Sequence, residues 1–154
     1  MRGRLTTVRA ATEDDAELLA RWHADPEVAR YWDDETFTTA QMVERLRRED
    51  VESYIVEEGA TPVGYLQVWA EGGGGGLDMF LVPGARGRGL GPDAARAVAV
   101  HLRDVRGWKV VTVDPYLSNE SAVRAWRRAG FRDVGERAPD DEHTAPWLLM
   151  EFAE

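Results

Sequence analysis

Pro83-Gly84-Ala85-Arg86-Gly87-Arg88-Gly89-Leu90-Gly91 joins an apolar run, Leu77-Asp78-Met79-Phe80-Leu81-Val82, to a stretch of helical periodicity. The run reads as a buried strand with one charged residue, Asp78. The stretch reads as a helix from Gly89 to about Arg106, with Leu90, Ala94, Val98, Leu102 and Val105 as its apolar stripe and Gly107 ending it. Glycines placed between a strand and a helix let backbone N–H groups crowd around an anion. The helix N-terminus adds partial positive charge, and Arg86 and Arg88 add full charges. Arg86 to Gly91 therefore reads as a diphosphate cradle. The competing reading is a plain glycine-rich turn with solvated arginines.

Two other phosphate loops fit less well. A P-loop needs Lys-Ser or Lys-Thr where Leu90-Gly91 stands. Gly89-Leu90-Gly91-Pro92-Asp93-Ala94 fits the dinucleotide pattern G-x-G-x-x-A, and Asp114 lies 20 residues past Ala94. However, six residues, Pro83 to Arg88, separate the strand end from the first glycine of that pattern. In a dinucleotide turn the strand runs almost directly into it.

Downstream, Lys109 to Asp114 reads as a strand parallel to the first, because a helix connects them. Ser118 or Asn119 caps a helix that Gly130 ends, and Phe131–Arg137 and Pro146–Phe152 are closing strands around the acidic turn Asp140-Asp141-Glu142. Upstream, Ser53–Glu57 and Val63–Trp69 form a hairpin across Gly59-Ala60-Thr61-Pro62. The five glycines Gly72 to Gly76 read as a flexible surface loop, since glycine weakens a strand interior. Before these come a strand near Thr6–Ala10, a helix begun at Thr12, a second helix Glu27–Tyr31 opened by Pro26, and a third capped by Thr38 or Thr39. The order β-α-α-α-β-β-β-α-β-α-β-β describes an α+β fold around a mixed sheet.

Composition narrows the function. The chain has 154 residues, a length that suits one domain spanning 1–154, and 44% hydrophobic with 31% charged residues suits a soluble globular fold. It has no cysteine, so a thiolate metal site and a cysteine nucleophile are excluded. Nineteen basic against 28 acidic residues give a net charge of −9, a poor match to nucleic acid and a good one to cations. No apolar run approaches the ~20 residues of a membrane span, and the first residues lack a signal-peptide core. The expectation is a cytoplasmic protein; oligomeric state is not legible.

At the Gly/Arg loop the sequence resembles the GNAT acetyltransferases. Their acetyl-CoA signature, Arg/Gln-x-x-Gly-x-Gly/Ala, is met by Arg86, Gly89 and Gly91. Asn119 to Ala122, followed by Ala125-Trp126-Arg127-Arg128-Ala129-Gly130-Phe131, is similar to the family's N-x-x-A…Y-x-K-x-G-F segment. Within the family the chain is similar to aminoglycoside 6′-N-acetyltransferases. Leu77-Asp78-Met79 resembles their Ile-Asp-Gln, and Val113-Asp114-Pro115 with Asn119 resembles Thr-Asp-Pro-x-x-x-Asn. The acidic Tyr31-Trp32-Asp33-Asp34-Glu35, Pro62 to Gln67 and the turn Pro139-Asp140 have counterparts as well. The resemblance implies a mostly antiparallel mixed sheet with helices on both faces, a parallel strand pair that splays at the acetyl-CoA site, and no metal.

It also implies roles. Arg86, Gly87, Arg88, Gly89, Leu90 and Gly91 would hold the diphosphate; Leu81, Val82, Asn119, Ala122 and Trp126 would line the pantetheine arm. Asp78 is the first candidate to take a proton from the acceptor amine, with Asp114 beside it. Trp32, Asp33, Asp34, Glu35, Gln67, Trp69 and Asp140 would shape the acceptor site. Each carries a plainer alternative: a solvated acid, a cap at Asn119 or Asp114, a core residue at Trp69. Trp22, Trp108 and Trp147 are assigned to the core.

One position departs from the family. Trp126 stands where many members carry a Tyr that protonates the leaving thiolate, and an indole N–H cannot act as that acid. Tyr116 is a possible substitute. His23 and His101 read as structural, and His143, beside the acidic turn, as a residue able to face substrate. Acceptors other than aminoglycosides, such as a polyamine or a protein amino group, and a catalytically idle acetyl-CoA-binding module remain open from the sequence.

Overall fold

The computed structural model describes every residue except Asp33, whose expected place on the acceptor rim therefore lies outside the described residues. The elements follow the expected order: β1 Thr7–Ala10, α1 Ala16–Ala24, α2 Pro26–Ala29, α3 Thr39–Leu46, β2 Glu52–Glu58, β3 Thr61–Glu71, β4 Gly74–Leu81, α4 Leu90–Asp104, β5 Val111–Val113, α5 Glu120–Ala129, β6 Phe131–Arg137 and β7 Trp147–Phe152. Local chemistry explains several boundaries. Thr38 and Gln41 form a reciprocal capping box at α3. Asn119 accepts from Ala122 N at 3.3 Å to start α5, and Gly130, at φ 107°, ends it.

The seven strands lie in the order β1-β2-β3-β4-β5-β7-β6. All neighbours are antiparallel except β4 and β5. Helices cover both faces. Ile55 and Tyr65 join Leu19, Val28 and Met42 in a core under α1, α2 and α3. Their chain neighbours Val56 and Leu66 join Leu90, Ala94, Val98 and Val123 in the core under α4 and α5. Successive strand residues point to opposite faces, so two cores demand the near-continuous apolar runs seen in β2 and β3. Each fully buried Leu or Val there contributes about 1.5–3 kcal/mol.

Three sequence expectations are corrected. The five-glycine run is not a flexible loop. Gly72 and Gly73, at φ 55° and 82°, make the two-residue turn of the β3–β4 hairpin, and Gly74 to Gly76 are strand. They are glycines because neighbours come too close for a Cβ. One at Gly75 would strike the Trp69 carbonyl, and one at Gly76 the Trp69 ring. Second, Val105 is 72% exposed rather than part of the α4 stripe, because the helix proper stops at Asp104. Third, α2 ends at Ala29, where the chain turns and buries Trp32 to 6% exposure.

The feature that positions the site is the short β4–β5 ladder. The two strands pair only at Gly75–Val111 and Gly76–Thr112. Beyond that β4 runs on through Asp78 to Leu81, while the other strand gives way to Asp114-Pro115. The strands part there and leave a cleft.

Candidate active site

The cleft has a volume of about 760 Å³, within the range of small-molecule sites. Asp78, Met79, Phe80 and Leu81 of β4 form one wall; Asp114, Pro115 and Tyr116 form the other. Gly87, Gly89, Leu90 and Gly91 close one end, with Asn119, Ala122 and Trp126 of α5 beside them. Tyr31, Trp32, Glu35, Arg45 and Gln67 close the opposite end.

At the loop end, Gly87 and Gly89 sit at φ 81° and 79°, a conformation that turns successive N–H groups inward at the start of α4. Arg86 lines the cleft, but its Nε donates to the Leu81 carbonyl at 3.2 Å and its Nη2 to that of Glu27 at 2.9 Å. Arg88 points elsewhere: it pairs with Glu58 at 2.7 Å and, like Val82, is not part of the cleft wall. The loop's positive charge comes instead from Arg86 together with Arg124 and Arg128 of α5. The sequence reading missed that pair, although their i,i+4 spacing puts both on one helix face. Trp126 is 7% exposed and packs edge-on against Phe131, with its ring reaching the cleft.

At the opposite end, Gln67 stands across from Asp78 on the neighbouring strand. Asp78 Oδ1 accepts from Met79 N at 2.8 Å. Gln67 Oε1 accepts from Arg45 Nη2 at 3.2 Å, and Glu35 lies 4.0 Å from Arg45 Nη1. Arg45 was not singled out in the sequence. Trp32 packs edge-on to Tyr65 and Phe80 while forming part of the wall. Two expected acceptor residues do not join them. Trp69 lies across Gly76, further back along β3, and Asp34 is exposed at φ 53° outside the cleft.

His143, read from the sequence as able to face substrate, lines the cleft. Its Nε2 is 2.7 Å from Asp114 Oδ2 and its Nδ1 2.8 Å from Asp140 Oδ1. Trp147 stacks on the ring at 4.1 Å and 11°, so Trp147 buttresses the site rather than the core. Burial disfavours the charged ring, but hydrogen bonds from the ring to the Asp140 and Asp114 carboxylates outweigh it and raise the imidazole pKa above its ordinary value. The same bond to His143 holds the Asp140 carboxyl below the ordinary range. Asp140 thus acts on the ring from behind instead of forming the cleft rim.

The acetyltransferase (GNAT) domain family matches residues 4–132. The chain belongs to the GNAT acetyltransferases. This acetyltransferase is 30% identical over 151 residues to the aminoglycoside N(6′)-acetyltransferase type 1 of Klebsiella pneumoniae, covering 84% of this chain and 75% of that protein. The structure of AAC(6′)-Ib with paromomycin and acetyl-CoA is similar at TM-score 0.84 and 27% identity, over 97% of this chain and 94% of that one. A Vibrio cholerae spermidine N-acetyltransferase bound to CoA and spermine shares the fold alone, at TM-score 0.83 and 13% identity, over 96% and 94%. Among the described residues no helix is long and apolar enough to cross a membrane. No group of three or more His, Asp or Glu among them is arranged to hold a metal ion.

Proposed function

We propose that this GNAT acetyltransferase moves the acetyl group of acetyl-CoA directly to the 6′-amine of an aminoglycoside. The observation that carries the reading is the pair of carboxylates, Asp78 and Asp114, on the two walls of one cleft whose far end is the glycine-rich turn at Gly87 to Gly91. The identity to aminoglycoside acetyltransferases supports the acceptor class. The thin identity to the spermidine enzyme gives a polyamine acceptor no comparable support.

Acetyl-CoA supplies an activated acyl group. The turn at Gly87 to Gly91 offers N–H donors to its diphosphate, with Arg128 and Arg124 as counter-charges. The backbone of β4 at Met79 to Leu81, left without a β5 partner, is a ready edge for the amides of the pantetheine arm. Asp78 and Asp114 bind the acceptor's ammonium and accept the proton it must lose before attack. The amine nitrogen then bonds to the acetyl carbon, the C–S bond breaks with its electron pair going to sulfur, and the amide's surplus proton ends on that sulfur. Tyr116 has the chemistry to deliver it: its Oη accepts from Thr144 N at 3.3 Å, which leaves the phenol proton to donate. A thiolate is a tolerable leaving group, its parent thiol having a pKa of about 8.5, so Trp126 in the usual Tyr position slows release without forbidding it.

The test is the position of the new acetyl group. Kanamycin incubated with acetyl-CoA and the protein should carry it on the 6′-nitrogen by NMR, and expression in a susceptible host should raise kanamycin tolerance. Acetylation of spermidine or of a lysine peptide, with kanamycin untouched, would overturn the acceptor assignment.

A further inference from the structure

We propose that His143 is a positioning residue for this transfer: Asp140 and Trp147 fix its ring, and its Nε2 proton holds the Asp114 carboxylate in place for the acceptor amine. The inference rests on the acetyltransferase reading above.

Three observations carry it. First, Asp140 Oδ1 accepts from Glu142 N at 2.9 Å and from His143 N at 2.8 Å, and His143 Nδ1 lies 2.8 Å from the same oxygen. An oxygen already accepting two backbone N–H groups is the acceptor in this contact as well, so Nδ1 is the donor and carries a proton. Second, the ring cannot rotate. It is 7% exposed, stacked on Trp147 and met edge-on by Tyr116 at 5.8 Å. Third, the remaining nitrogen lies 2.7 Å from Asp114 Oδ2, and Asp114 is itself a third exposed and part of the cleft wall. With one carboxylate oxygen taken by Nε2–H, the other is left for the amine.

His143 forms and breaks no bond to substrate. Its effect depends on charge. The groups facing the ring are the Asp114 and Asp140 carboxylates, the Tyr116 ring and the Trp147 indole, with Glu142 adjacent in the chain. Both facing carboxylates favour the imidazolium. When the Nε2 proton is lost to solvent, a lone pair faces Asp114 Oδ2 and the hold is replaced by repulsion. The aspartate then leaves its position, and turnover falls on the alkaline side.

The experiment compares wild type with His143→Ala, His143→Gln and Asp140→Asn, reading kcat and KM across pH with kanamycin as acceptor. His143→Ala should lower kcat by roughly tenfold or more, lose the alkaline limb, and leave the acetyl-CoA KM unchanged. His143→Gln, whose amide N–H can reach Asp114, should restore part of kcat but not the limb. Asp140→Asn should move the limb to lower pH. An unchanged pH profile in all three variants overturns the proposal. Imidazole ¹⁵N NMR tests it without turnover: Asp114→Asn and Asp140→Asn should each lower the His143 titration midpoint. A midpoint indifferent to both overturns the proposal even if kanamycin is acetylated. Conversely, shifted midpoints with no acetylation of kanamycin support the clamp and overturn only the acceptor reading.

Discussion

Gln67 and Asp78 face each other across β3 and β4, and the Gln67 side chain takes up the guanidinium of Arg45 at 3.2 Å. This end of the cleft therefore has a carboxylate and a cation close together. Toward the polycationic acceptor proposed above, these two charges pull in opposite directions.

Asp78→Asn removes the carboxylate and keeps the side chain's shape. The expected result is a fall in kcat of about 10²–10⁴-fold, the usual contribution of a proton acceptor, with acetyl-CoA affinity unchanged. Steady-state kinetics with each substrate varied in turn checks this. Unchanged kcat would move the proton to Asp114.

Arg45→Gln tests the opposing charge. Arg45 Nε is buried without a hydrogen-bond partner, and burial of such an atom is unfavourable. The variant should lower the KM for kanamycin by roughly tenfold, a change of about 1.4 kcal/mol, without loss of thermal stability. A raised KM would mean that Arg45 contacts a hydroxyl of the acceptor instead of repelling its amines.

Gly76→Ala should destabilise the fold by about 1–3 kcal/mol, because the new Cβ meets the Trp69 ring. Trp69→Ala in the same chain should recover part of that loss. Urea unfolding of the two single variants and the double variant measures the coupling.

His23 predicts an acid-side loss of stability. Its ring is fully buried among Phe37, Phe80, Trp32 and Tyr65, with neither nitrogen hydrogen-bonded. Burial, with the charge of Arg45, lowers its pKa from 6.5 to about 4. The folded-state pKa lies below the unfolded one, so the unfolded chain binds the extra proton between these values and stability falls as pH drops through that window. The full effect is about 3 kcal/mol. His143 has the opposite sign: its raised pKa contributes stability at low pH that is lost as pH rises. Unfolding free energies at neutral and mildly acidic pH should diverge less in His23→Leu than in wild type. Equal divergence would show that other groups set the acid limit.

The element order and the cleft walls were legible because each rests on local chemistry: glycine at positive φ, caps, and strand runs with a single charge. Asp78 stood out as one acid in an apolar strand, and Gly87 and Gly89 as glycines before a helix. Long-range relations were not legible. Nothing local ties Glu58 to Arg88 or Glu27 to Arg86, and those contacts redirect both loop arginines. The five glycines misled because their reason, the Trp69 ring and carbonyl lying against them, is a cross-strand contact. His143 needed β7 to return beside β5 before it could meet Asp114. Arg45, at the end of α3 and followed closely by Arg47 and Arg48, gave no sign that it reaches the cleft.

The most direct test of the central claim is the rate of thiol release from acetyl-CoA by purified protein. Tobramycin or kanamycin should give rapid release, and an analogue with a hydroxyl in place of the 6′-amine should give none. Equal rates with the analogue, or release only with spermidine, would contradict the account.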